Sequence, residues 1–200
     1  MVKRLIILSI ILVLLLTGCA QSLKYGFARE VSTEEQTLRL SLVQAAEGWL
    51  GCKEADGTHK PIIDLYNAHE PLAQGYTVKY TDQWCATFVS AAAITAELTD
   101  IIPTECGCQR QIGLFVQLDC WEEKDNYVPL PGDIIFYATT ASGIGDCTDW
   151  SDHVGIVVGT NGNRIKVIEG NNGEAVRYRY LYTTDPTIRG YGLPDYASKT

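Results

Sequence analysis

Apolar positions follow a helical period in the first half of this chain and a strand period in the second. Ser32-Thr33-Glu34-Glu35 has the form of a capping box, and Leu38, Leu42, Ala45, Ala46 and Trp49 recur at helical spacing until Gly51, so structure is expected to begin near Ser32 with a helix. Between Cys52 and Tyr80, Asp56-Gly57, Pro61 and Pro71 predict turns around a short helix over 62–67. Asp82 can cap a further helix with Gln83, Trp84 and Cys85 in its first turn and Cys85, Phe88, Val89, Ala92 and Ala96 on its apolar side. Pro103 ends that segment, and residues 104–130 read as a cysteine-bearing insertion with a helical stretch over 109–118. From Pro131-Gly132-Asp133 onward the pattern turns β, with strands expected over 134–138, 154–158, 164–169, 176–180 and 188–191 and Gly and Asn turns between them. Those connections leave no room for crossover helices. The expected fold is therefore α+β, with N-terminal helices packed on a small curled antiparallel sheet.

The N-terminus adds a location. Lys3 and Arg4 precede an apolar run over 5–16 broken only by Ser9, too short for the roughly 20 residues of a lasting membrane span and suited to a processed export signal. The following Leu16-Thr17-Gly18-Cys19 resembles the lipobox of bacterial lipoproteins, which implies a signal peptide over 1–18 and a lipid on Cys19. Multiple acyl chains hold a protein firmly, each buried methylene contributing about 0.8 kcal/mol. Residues 19–31 then read as a membrane-proximal spacer and 32–200 as one catalytic domain. Removing 1–18 moves the formal net charge from −8 to −10, which argues against nucleic acid as a partner. Oligomeric state is not legible.

Seven cysteines are many for a chain of this length, and export makes disulfides possible. Setting Cys19 and Cys85 aside leaves Cys52, Cys106, Cys108, Cys120 and Cys147, an odd number expected to staple loops in pairings the sequence leaves open. Cys106-Gly107-Cys108 with Cys120 has no second paired-ligand knuckle, and His59 and His69 lie far off, so no metal and no cofactor is expected.

The chemistry sits in three places. Cys85 opens an apolar helix, where a helix N-terminus and a nearby imidazolium both favour thiolate over thiol. His153 follows 68 residues later at the mouth of an apolar strand, and Glu169 and Asn171 follow it by sixteen and eighteen residues on the next strand. Strand period two puts both on one face, so either can accept from the imidazole N–H if the two strands pair. Tyr80, Trp84 and Trp150 are candidates to line the cleft, with Trp150 and Cys147 in a long loop over 139–152. Asp133 is expected to tie the turn before its strand.

Four segments in this order, Trp84-Cys85-Ala86-Thr87-Phe88-Val89-Ser90, Pro131-Gly132-Asp133-Ile134-Ile135-Phe136, His153-Val154-Gly155-Ile156-Val157 and Glu169-Gly170-Asn171, resemble the CHAP family of cysteine, histidine-dependent amidohydrolases and peptidases. That family is kin to the NlpC-type wall peptidases of the papain-like superfamily, and the resemblance covers roughly residues 40–195. It implies Cys85 as nucleophile, His153 as general base and then acid, Glu169 as the group orienting the imidazolium, Asn171 as a competing or assisting third member, and Gln83 as a candidate oxyanion donor. The function it implies is that of a membrane-anchored peptidoglycan hydrolase cutting an amide bond, as an amidase or a peptide endopeptidase. A transferase using the same thioester and a catalytically silent wall-binding lipoprotein are the alternatives.

Overall fold

The computed structural model describes residues 26–124, 126–139 and 150–200. The export signal, Cys19, most of the spacer and Cys147 lie outside them. Among the described residues no helix is long and apolar enough to cross a membrane.

Among the described residues four α-helices precede or flank a six-stranded sheet. They are α1 (Thr33–Glu47), α2 (Lys60–Asn67), α3 (Cys85–Thr95) and α4 (Cys108–Gln117), and the strands are β1 (Trp121–Glu122), β2 (Ile134–Tyr137), β3 (His153–Asn161), β4 (Arg164–Glu169), β5 (Arg177–Tyr182) and β6 (Ile188–Gly192). The sheet runs β1-β6-β2-β3-β4-β5 with every pairing antiparallel. This is the α+β arrangement that the change of period predicts, and the papain-like one that the family resemblance implies.

Helix α1 starts where its cap requires: Ser32 Oγ accepts from the Glu35 N–H at 3.0 Å. The Glu35 carboxylate does not close the reciprocal half of the box but takes Arg39 Nε at 2.7 Å. Arg39 is buried and also donates to Asp133 Oδ1 at 2.8 Å, while Asp133 Oδ2 accepts from Tyr127 Oη at 2.6 Å and the Leu130 N–H at 2.8 Å. Asp133 thus fastens α1 to the turn that launches β2, and its fully buried charge is tolerated because it is paired and hydrogen-bonded.

Helix α3 departs from the amphipathic expectation. Every residue from Cys85 to Ala93 is buried, because α1 and α2 cover one side and β3 and β4 the other. A helix apolar all round is a core helix. Its run of alanines lets neighbours approach closely, and Phe88 and Trp84, both without exposure, fill the core beside it. Burial of side chains of this size is worth about 1.5–3 kcal/mol each.

Candidate active site

Cys85 is the first residue of α3, and Trp84 rather than Asp82 is its N-cap. The Asp82 carboxylate is occupied by the Lys79 N–H at 2.8 Å and Tyr76 Oη at 2.7 Å, so it caps a local turn and not the helix. The N-cap side chain makes no hydrogen bond to the first N–H groups of α3. A helix end left open in this way favours negative charge beside it. Trp84 faces inward, fully buried, its Nε1 donating to Glu54 Oε1 at 2.8 Å and its ring 5.7 Å from that of His59. It is therefore a core residue and not a cleft wall: the turn that points Cys85 toward the cleft points its neighbour into the interior.

His153 opens β3 in register with Tyr137 of β2, and the two rings stack at 5.8 Å. Glu169 ends β4, the other arm of the same hairpin, and its Oε2 lies 3.0 Å from His153 Nε2. Asn172 Nδ2 donates to the same oxygen at 2.8 Å, and Arg179 Nε of β5 donates to Oε1 at 2.7 Å. Three heteroatom contacts thus hold a carboxylate with no solvent exposure. Two glycines make room for this arrangement. A Cβ on Gly155 would lie 2.7 Å from Glu169 Cγ, and a Cβ on Gly170 would lie 2.3 Å from Phe88 Cβ, where the end of β4 meets the helix that carries Cys85.

With Nε2 committed to Glu169, Nδ1 is the imidazole nitrogen left for the thiol. Cys85 is pulled down from 9.0 to about 5, first by hydrogen bonding from the Cys108 thiol, against the opposing effect of burial, and then by the hydrogen bond and charge of His153 and the Ala86 N–H. His153 is raised from 6.5 to about 9: burial opposes the charge, but bonds to Cys85 and Glu169 outweigh it. Glu169 is held below its ordinary value despite burial by His153 and Arg179. Both shifts favour the thiolate–imidazolium form of the pair.

Cys85 lines an open cleft of about 260 Å³ shared with Gln83, Cys108, Arg110, Trp150 and Asp152. Trp150 is 74% exposed at its rim. Residues 140–149 of the long loop over 139–152 lie outside the described residues, while its ends are tied by Thr139 Oγ1 donating to Asp152 Oδ2 at 2.7 Å. Tyr80 is not among the residues lining this cleft: its hydroxyl donates to Asp64 Oδ1 at 2.6 Å on the surface of α2. Asn171 does not reach the imidazole in this arrangement. Strand β4 stops at Glu169, Asn171 turns to a positive φ of 55°, and its Nδ2 donates to Gln83 Oε1 at 2.8 Å.

The cysteines differ most from expectation. Cys52, Cys85, Cys106, Cys108 and Cys120 are all free thiols, so among the described residues no disulfide staples a loop. Segment 104–130 is no peripheral excursion either, since its helix α4 begins at Cys108, whose Sγ lies 3.4 Å from Cys85 Sγ. Cys108, Asn172 and Arg179 are the site residues that sequence reasoning passed over. Only Arg179 had a legible signal, an arginine on the strand after the glutamate.

An α+β fold that presents a cysteine at a helix start, a histidine at a strand start and a buried carboxylate in this order defines a papain-like cysteine, histidine-dependent domain. Residues 75–171 match the CHAP domain family, and the segment that carries Cys85, His153 and Glu169 belongs to it. Members of that family are in general cysteine- and histidine-dependent amidohydrolases and peptidases. A solved structure described as "The crystal structure of Ly7917" is similar at 17% identity and a TM-score of 0.37, over 55% of this chain and 53% of that one. The chain thus spans about half the length of that relative. Comparison with curated proteins returns no match.

Proposed function

We propose that this protein is a membrane-anchored peptidoglycan hydrolase that cuts an amide bond through a Cys85 thioester. The observation that carries the reading is the 3.0 Å contact of His153 Nε2 with Glu169 Oε2, which leaves Nδ1 for a thiol at an uncapped helix N-terminus. In this reading the Cys85 thiolate attacks an amide carbonyl. The Cys85 backbone N–H and the Gln83 side-chain amide hold the oxyanion, because Asn171 occupies Gln83 Oε1 and leaves Nε2 to donate. His153 protonates the departing amine, and the neutral imidazole then takes a proton from the water that releases the acyl group. Glu169 stays ionised throughout and fixes the ring.

Substrate and location rest on the family and on the N-terminal sequence. A lipid on Cys19 would confine the enzyme to the membrane face of the wall and raise its effective concentration there. The test is digestion of purified peptidoglycan by the full chain beside Cys85→Ala, with fragments read by mass spectrometry. The expected result is new fragments that vanish in Cys85→Ala, their masses deciding between the sugar–peptide amide and a bond within the peptide. Intact wall from folded protein overturns the hydrolase. Fragments rejoined to an added amine acceptor identify a transferase.

A further inference from the structure

The mechanism above uses one thiol, yet two stand in the cleft. Cys85 is the first residue of α3 and Cys108 the first residue of α4, and their sulfurs are 3.4 Å apart. The turn bearing Cys108 is fastened to the helix bearing Cys85. Ser90 Oγ of α3 donates to the Glu105 carbonyl at 2.7 Å and accepts from the Glu105 N–H at 2.9 Å. The Glu105 carboxylate in turn accepts from the Cys106 N–H at 2.8 Å and the Gly107 N–H at 3.2 Å. The second thiol is therefore held beside the nucleophile by a specific set of bonds, and both line the same open cleft of about 260 Å³.

We propose that Cys85 and Cys108 form a reversible disulfide, with Cys108 as the resolving thiol that switches the nucleophile off and protects it from irreversible oxidation. This rests on the reading of Cys85 as a reactive thiolate and concerns regulation of the same site. The oxidant is a hydroperoxide. The Cys85 thiolate attacks its terminal oxygen, the O–O bond breaks, and with one proton a sulfenic acid and a water or alcohol form. Cys108 sulfur then attacks Cys85 sulfur, the S–O bond breaks, and the hydroxyl leaves as water with the proton from Cys108. Two thiols have lost two electrons and the peroxide has gained them. Closing the bond brings the sulfurs from 3.4 Å to about 2.05 Å. A dithiol reductant reverses it by thiol–disulfide exchange.

Trypsin alone cannot reveal this bridge, because Lys79 and Arg110 bracket Cys85, Cys106 and Cys108 in one peptide. A second cleavage after Glu97 and Glu105 separates Cys85 from the other two. The full chain is treated with hydrogen peroxide, its free thiols are alkylated, and the double digest is read by mass spectrometry, with Cys106→Ser as the background that leaves Cys108 the only partner in its peptide. The expected product is a Cys85–Cys108 linked pair that a dithiol reductant removes, together with at least a tenfold loss of activity that the same reductant restores. In Cys108→Ser, Cys85 is expected to gain two or three oxygens and to stay modified after reduction. Wild-type Cys85 found as sulfinic or sulfonic acid beside an unmodified Cys108, or bridged to another cysteine, overturns the proposal. The mapping needs no substrate, so a protein that forms the bridge but leaves peptidoglycan intact sinks the hydrolase reading alone.

Discussion

Asn171 Nδ2 donates to Gln83 Oε1 at 2.8 Å, joining the segment after β4 to the segment before α3 across the mouth of the cleft. The side chain that strand alternation would hand to His153 instead orients the candidate oxyanion donor. Asn171→Asp keeps a residue type that tolerates φ of 55° but cannot donate to Gln83. The expected outcome is a fall in kcat of about tenfold with KM little changed, against about 10²–10³ for Gln83→Ala. Equal activity in wild type and Asn171→Asp removes Asn171 from the mechanism.

Cys85 carries the lowered thiol pKa, and three neighbours account for it: Cys108, His153 and the Ala86 N–H. Iodoacetamide labelling of the reduced protein across pH is expected to show one cysteine, mapped to Cys85, reacting with a midpoint near 5. Cys108→Ala and His153→Ala each remove one stabilising partner of the anion, so each moves the midpoint upward. A midpoint that stays in place in both variants would assign the thiolate to the helix end alone.

The four motif segments were legible because each combines a reactive group with a local apolar context, and the order of those groups along the chain needs no tertiary knowledge. Glu169 was legible for the same reason, two strands of one hairpin with a short turn. The remainder depends on register and on where elements stop. Arg179 reaches Glu169 only because Val167 pairs with Arg179 and Glu169 with Arg177, which puts Arg179 diagonally across one face. Strand alternation misplaces Asn171 because β4 ends two residues before it, and Trp84 leaves the cleft because the residue next to Cys85 points into the core. Cys108 touches Cys85 through a turn fastened by Ser90 and Glu105, a contact that no periodicity encodes.

Gly155 lies two residues beyond His153, on the strand that Glu169 packs against. An alanine there places its Cβ 2.6 Å from Val167 Cγ1, 2.7 Å from Glu169 Cγ and 3.0 Å from the Ile168 carbonyl oxygen. Overpacking of a buried strand typically costs about 1–3 kcal/mol. In a chain of this size each kcal/mol lowers Tm by about 2–4 °C. Gly155→Ala is therefore expected to melt several degrees lower and, well below its Tm, to lose activity as well, because the carboxylate is displaced from His153. Normal activity in a folded, less stable variant would show that the Glu169 contact survives the crowding.

The pH dependence of kcat/KM reads the ion pair directly. Cys85 is lowered to about 5, so the thiolate is lost as pH falls through that value. His153 is raised to about 9, so the imidazolium is lost as pH rises through that one. Activity is expected on a plateau between the two limbs, with the acid limb set by the pair's first macroscopic titration and the alkaline limb by its second. Glu169→Gln tests which neighbour holds the upper limb. It preserves shape while removing the charge that His153 meets at 3.0 Å, and it also leaves Arg179 without its anionic partner. The alkaline limb should move down toward the ordinary histidine value, with the acid limb displaced far less and kcat reduced by about 10² or more. An alkaline limb that remains near 9 in Glu169→Gln would mean that the thiolate alone holds the imidazolium, and that the buried carboxylate serves the hairpin rather than the reaction.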